Sequence, residues 1–379
     1  MARKLKSDKL LFFATLLLVC ASVVMVYSAS AVVAMQRYQQ PNLFLFKQAT
    51  WVLVGLMLMP IVMRIDYRHY RQPAVLWSAL GVVTLALIAV LFGPRINGAR
   101  RWFGMAGIGV QPSELAKIAV IFFIAAILER RMDRIDDVRY SLLPIAVVVG
   151  ALVGLILLQP DLGTALSILL IAGAMVFAAG INYHYIVGLV LLTIPAAYIV
   201  LMSAEYRRRR IAIFLNPWED PLGDGFQIIQ SLIAVGTGGI FGRGLMAGVQ
   251  KLFYLPYPET DFIYAVIAEE LGLIGATMVL ICFAVIVWRG LRAALRAPDR
   301  FGAFLALGLT AMVSIQAFFN ISVVLGLLPT KGIPLPFVSF GGSSLLISMV
   351  GMAILLNVSQ HGSTSHVVTT AIEPGIANA

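Results

Sequence analysis

Tyr254-Leu-Pro-Tyr-Pro-Glu-Thr-Asp-Phe-Ile-Tyr-Ala-Val-Ile-Ala-Glu-Glu-Leu-Gly272 is where a polar loop gives way to an apolar run. Three carboxylates, Asp261, Glu269 and Glu270, stand at the start of that run. Ionisable groups near or inside a bilayer are costly, so they usually have a function there. Two readings of Asp261 are open. It can cap the helix that follows, with the Glu pair favoured by the positive helix N-terminus, or it can be a catalytic acid or base.

The rest of the chain makes a bilayer the right frame. Of 379 residues, 60% are hydrophobic and only 12% are charged, and the mean hydropathy is +0.93. A soluble domain is about 25% charged, so a water-soluble protein is excluded and a polytopic membrane protein is implied. The two cysteines, Cys20 and Cys282, both fall in apolar stretches and suggest neither a disulfide framework nor a metal site. Four histidines with no metal-ligand spacing argue against a transition-metal centre.

A span needs about 20 mostly apolar residues. The pattern predicts an all-α fold of ten transmembrane helices: 10–34, 45–63, 73–93, 113–129, 142–158, 162–179, 184–203, 265–288, 302–327 and 341–358. These form one membrane domain over 1–360, with a long outward loop at about 204–264 between spans seven and eight. Residues 361–379 are expected to be a disordered cytoplasmic tail. Fifteen of the 28 Lys and Arg residues fall in the N-terminus and in the segments 64–71, 130–139 and 289–300. The positive-inside rule makes that side cytoplasmic, with both termini inside. The first span follows Lys4, Lys6 and Lys9 like a signal peptide, but its length predicts a retained helix.

The remaining 13 basic residues lie on the other side or within the membrane, and they are clustered. Arg207-Arg-Arg-Arg210 opens the long loop, and Arg95, Arg100 and Arg101 lie between spans three and four. They can anchor lipid headgroups or hold an anionic ligand such as a pyrophosphate, which suits guanidinium forks. Glu114 and Lys117 share a helix face and can pair, or line a polar cavity. Asp161 can cap span six or face the same cavity. The segment Gly236-Thr-Gly-Gly-Ile-Phe-Gly-Arg-Gly244 lacks the ending of a P-loop. The long loop is predicted to be amphipathic, a lid or floor over an outward-facing cavity, because irregular backbone near a membrane must be buried or face water. Leu327 to Ser344 holds three prolines and three glycines and reads as a stiff re-entrant turn presenting Lys331.

Taken together, Gly98-Ala-Arg-Arg-Trp102, Gln111-Pro-Ser-Glu114, Gln159-Pro-Asp-Leu-Gly-Thr164, Gln227 to Gly239, Thr260-Asp-Phe262 to Gly272 and Leu328 to Ser344 resemble the SEDS family (shape, elongation, division and sporulation). This family of bacterial peptidoglycan glycosyltransferases includes FtsW and RodA. The resemblance covers roughly 10–360. Asn216-Pro-Trp218, Phe226-Gln227, Leu328-Pro-Thr-Lys-Gly332 and Val26-Tyr-Ser-Ala-Ser30 are closer to the FtsW-like division branch, and Ile333-Pro334 to the elongation branch. The family usually has His before Thr-Asp-Phe. Here the residue is Glu259, whose charge can alter the pKa of Asp261.

The resemblance implies a reaction and a set of residues. Lipid II is polymerised at the outer face of the plasma membrane during division, with Asp261 as the essential acid and release of undecaprenyl pyrophosphate. Arg210 and Lys331 are the leading cations for the leaving group, with Arg207 in the same basic run. Arg101, Glu114, Lys117, Asp161 and Ser339 complete the expected substrate-binding set. A divalent cation, magnesium or manganese, is compatible with this chemistry, although the sequence has no dedicated metal motif, and no organic cofactor is implied. The expected partners are lipid II, the lipid-linked glycan, a class B penicillin-binding protein that acts as transpeptidase, and other divisome proteins. No nucleic acid is implied by the net charge of +10. A lipid II flippase and a structural scaffold of the division machinery are the alternative readings.

Overall fold

The computed structural model describes residues 7–95, 99–105, 108–135, 137–202 and 205–372. Ten long helices occupy the ten apolar segments. They are α1 (Lys9–Tyr38), α2 (Leu43–Arg64), α3 (Pro73–Val90), α4 (Pro112–Arg131), α5 (Leu143–Leu158), α6 (Leu162–Ala178) and α7 (Tyr183–Met202), then α10 (Ile263–Leu295), α11 (Arg300–Val324) and α12 (Gly342–Ile372). Between α7 and α10 lie two shorter helices, α8 (Glu205–Leu215) and α9 (Phe226–Gly238).

Local chemistry sets the helix starts. Asp8, Asp161 and Asp299 cap α1, α6 and α11 by accepting from Leu11 N, Thr164 N and Gly302 N. Pro73 and Pro112 open α3 and α4, where a missing N–H costs nothing.

Seven helical segments among the described residues are long and apolar enough to cross a membrane: α1, α2, α3, Val138–Leu158, α10, α11 and Gly342–Gly362. Against the expected ten spans, ten long helices are present among the described residues and seven segments have the length and apolar character of a span. α4 falls short because it carries Glu114, Lys117, Glu129, Arg130 and Arg131, α6 has only 17 residues, and α7 is the third helix not among the seven, many of its side chains lying outside the described residues. α12 carries the chain to Ile372, into the expected C-terminal tail, and residues 373–379 lie outside the described residues.

The all-α expectation also needs one correction. Phe103–Met105 (β1) and Ile108–Val110 (β2) pair antiparallel between α3 and α4, with Phe103 opposite Val110. The Trp102 ring lies over Gly109, where a β-carbon would come within 3.0 Å of it.

α11 is the core of the bundle, packed by α4, α6, α10 and α12, and most of its side chains are buried. α1 lies against α2 and α10, and α12 against α2. At one end of the bundle the connections are knit by ion pairs. Arg68 Nε donates to Asp299 Oδ2 at 3.0 Å, Arg289 Nε to Asp8 Oδ2 at 2.6 Å and Arg71 to Glu129 at 2.7 Å. Tyr67 Oη also donates to Asp299 Oδ2 at 2.5 Å. α10 runs from this end to the opposite one, where Asp261 stands two residues before its first residue.

Near that opposite end α10 is broken. Gly272 sits at φ 64°, ψ −162° within it. The break frees two carbonyls and two N–H groups, and buried backbone groups must be paired. The glycine-rich segment pairs them. Arg243 N donates to Glu269 O and Gly244 N to Glu270 O, both at 3.0 Å, while Leu273 N and Ile274 N donate to Gly239 O and Ile240 O. Glycine is required here by close approach. A β-carbon on Gly272 would lie 2.5 Å from Ile240 O, and one on Gly238 would collide with Ala268 O.

Candidate functional site

Asp261 lies on the last turn of the loop between α9 and α10. Its main chain is held from two sides. Asn320 Nδ2, near the end of α11, donates to Asp261 O and Ile333 O, each at 2.8 Å. Phe340 N donates to Glu259 O at 2.8 Å, and Ser339 Oγ to Thr260 O at 2.5 Å. These bonds bind 259–261 to the re-entrant turn between α11 and α12. They leave the carboxylate to face a cleft of about 170 Å³ lined by Gln227, Tyr257, Phe262, Thr330, Lys331 and Gly332.

The carboxylate is not a helix cap. The cap position of α10 is Phe262, which makes no side-chain cap hydrogen bond. Burial, with Glu259 as a like-charged neighbour, pushes the pKa of Asp261 up to about 7. Glu259 is itself pushed up, first by burial, and its Oε2 is buried with no hydrogen-bond partner. Two carboxyls therefore sit two residues apart, and one of them opens on the cleft. Tyr257, on the wall, holds φ 54°. A non-glycine residue in that region costs about 1–3 kcal/mol, a kind of strain found at functional sites.

A family model for a cell cycle protein that groups FtsW, RodA and SpoVE matches residues 8–364. The chain belongs to the FtsW/RodA/SpoVE family. A probable peptidoglycan glycosyltransferase FtsW of Geobacter metallireducens is 46% identical over 354 residues, covering 93% of this chain and 94% of the relative. Stage V sporulation protein E of Bacillus subtilis is 43% identical over 364 residues, covering 95% and 98%. Among solved structures, a chain described under structural coordination of polymerization and crosslinking by a peptidoglycan synthase complex superposes with a TM-score of 0.79. It is 32% identical and covers 94% of this chain and 99% of that one. The rod shape determining protein RodA of Thermus thermophilus gives a TM-score of 0.69 at 28% identity, covering 94% and 97%.

Within this family fold the expected site residues separate into three groups. Lys331 lines the cleft with Asp261. Arg207 and Arg210 lie on α8, but their side chains are outside the described residues. Their neighbour Arg209 bonds the loop itself, to Asp220 at 2.9 Å and Asp224 at 2.6 Å.

The third group is engaged elsewhere. Ser339 is buried, donates to Thr260 O and accepts from Leu335 N, so it clamps backbone and does not line the cleft. Asp161 caps α6 through Thr164 N and accepts from Gln111 Nε2 at 3.0 Å. Arg101 donates to Gln159 O and Pro160 O and closes the α5–α6 corner. This corner backs the re-entrant turn, because a β-carbon on Gly163 would come within 2.9 Å of Ile333. Glu114 and Lys117 pair with each other at 2.8 Å, buried in α4.

Gln227, Tyr257 and Thr330 line the cleft; they lie within the quoted motifs but were not among the expected site residues. The available signal was Gln227, a polar residue at the start of an apolar helical run. No group of three His, Cys, Asp or Glu residues converges among the described residues. Two carboxyls, Asp261 and Glu259, lie at the cleft end of the loop, and no step below runs through a metal.

Proposed function

We propose that the chain polymerises lipid II into glycan strands at the outer face of the plasma membrane, with Asp261 as general base. The observation that carries this reading is that Asp261 and Lys331 line one cleft. The 4-hydroxyl of an acceptor N-acetylglucosamine gives its proton to Asp261 as it attacks the anomeric carbon of the lipid-linked donor. The bond to the pyrophosphate breaks, undecaprenyl pyrophosphate leaves, and the configuration inverts. A base is most effective when its pKa lies near the working pH, which a carboxyl at about 7 satisfies. Lys331 supplies positive charge where the leaving group becomes more negative, joined in this reading by Arg207 and Arg210.

Ten membrane passes, both termini in the cytoplasm and the 204–264 loop outside complete the proposal. They are supported by the ten alternating helices and by the basic residues gathered at the Asp299 end. A class B penicillin-binding protein is the crosslinking partner in this reading, supported by the fold shared with a chain of a peptidoglycan synthase complex. The assignment to division rests on the FtsW-named relatives.

The test is a reconstituted assay with purified protein and lipid II, with and without a class B partner. Glycan strands are the expected product. Labelled lipid that changes leaflet without forming polymer would favour a flippase, and activity in neither assay a scaffold.

A further inference from the structure

Lys251 is buried in the loop between α9 and α10 and does not line the cleft. Its Nζ donates to Glu270 Oε1 at 2.5 Å and to Ser28 Oγ at 2.7 Å. Ser28 Oγ in turn meets the Glu270 carboxylate at 2.7 and 2.8 Å. The same carboxylate accepts from Met246 N at 2.9 Å. Glu269, beside it, accepts from Val249 N at 2.8 Å and from Gln250 N. Three elements therefore meet at one buried point: α1 through Ser28, α10 through Glu270, and the α9–α10 loop through Lys251.

The spacing gives this point its meaning. Lys251 and Glu270 are 19 residues apart in sequence, and Asp261 lies midway between them. The ion pair closes a ring of chain that contains Asp261. Ser28, 223 residues from Lys251, fixes that ring to α1. The far side of the ring is held by Asn320, Ser339 and Phe340, as described above. With both sides fixed, Asp261 has little freedom to move relative to the Lys331 wall.

We propose that Lys251 is a positioning residue for the transfer reaction, acting with Ser28 and Glu270 to hold the Asp261 segment in register with α1 and α10. The three do not contact substrate. They restrict where the Asp261 carboxylate can be when the acceptor hydroxyl arrives. A displacement of about 1 Å in a catalytic group can cost 10²-fold in rate.

This inference rests on the polymerase reading, so its test has one arm that is independent of activity. The variants are Lys251→Met with Glu270→Gln together, which removes the tether and leaves no orphan charge, and Ser28→Ala, which keeps the ion pair. In the reconstituted lipid II assay the double variant should lose about 10- to 100-fold in kcat, with KM held within about twofold and the melting temperature near wild type. Ser28→Ala should lose a smaller factor of kcat in the same pattern.

Independently, spin labels at the exposed positions Tyr254 and Leu327, with the exposed Cys20 replaced, should give a broader distance distribution in the double variant. A folded double variant with wild-type kcat, or with an unchanged distance distribution, overturns the proposal. If the double variant does not fold, Ser28→Ala decides, and wild-type kcat in that variant overturns it. Wild-type protein that makes no glycan would count against the polymerase reading alone, and the distance measurement would still judge the tether.

Discussion

A carboxyl at about pKa 7 is half ionised near neutrality, and two features of the chain produce that value at Asp261: burial and the adjacent Glu259. Polymerisation should therefore rise as pH increases through about 7, because the base must be unprotonated. Glu259→Gln removes the like charge, so the acid limb of the pH–rate profile should move to lower pH; a limb that does not move shows that burial alone sets it. Asp261→Asn and Asp261→Ala should both lose about 10²–10⁴-fold in rate, the usual contribution of a general base. The linkage to stability has the opposite sense to that of a salt-bridged acid. The folded pKa lies above the ordinary 3.8, so the folded state binds the proton more tightly. Stability then falls as pH rises between about 4 and 7, with the full cost present above 7. Asp261→Asn should flatten that slope in melting temperatures taken from pH 5 to pH 8. Asp261 and Lys331 were legible because charge beside an apolar run is rare. Lys251 and Ser28 were not, because their meeting depends on a contact across 223 residues.

At the scale of the element, the helices followed from apolar length, whereas the break in α10 did not. Apolar residues continue across Gly272, and the helical periodicity carries no mark of the turn. The glycine-rich 236–244 segment was visible as irregular, but its partner was not. Its function is to hydrogen-bond the groups freed by the break. Gly272→Ala combines a positive φ with a clash against Ile240 O. The conformational part alone costs about 1–3 kcal/mol, and the packing clash adds to it. The expected outcome is a lower melting temperature and reduced yield in membranes; wild-type stability would show that the segment yields without cost. In α4, Lys117→Met leaves Glu114 buried without its partner, which costs about 3–5 kcal/mol. Lys117→Met with Glu114→Gln should recover most of that loss. The double variant should then separate a structural pair from a functional one, since polymerisation at the normal rate in a stable double variant assigns the pair to the fold. The hairpin of β1 and β2 escaped the sequence reading because three-residue strands are too short for an alternating pattern to register.

Across the whole molecule, the two ends of the bundle differ in chemistry. The Asp299 end is basic and knit by ion pairs to Asp8, Glu129 and Asp299, and the other end carries the cleft. Charge asymmetry made the arrangement readable from sequence, while the number of spans was less so. α4 and α6 combine charge or short length with burial among neighbouring helices, and apolar length alone cannot weigh that packing. Sidedness is open to direct measurement. A single cysteine at Arg134, in a background with Cys20 and Cys282 replaced, should react with an impermeant thiol reagent only after the membrane is opened. A cysteine at Leu222, which is 89% exposed on the outer loop, should react in intact cells. The two positions lie on opposite sides of α5, α6 and α7, three helices that must all cross if the ten-pass arrangement holds. If both cysteines react in intact cells, or both are protected, then one of those three helices does not cross. α6 is the first to suspect, because neither it nor α7 is among the seven long apolar segments, and its 17 residues make it the shorter of those two.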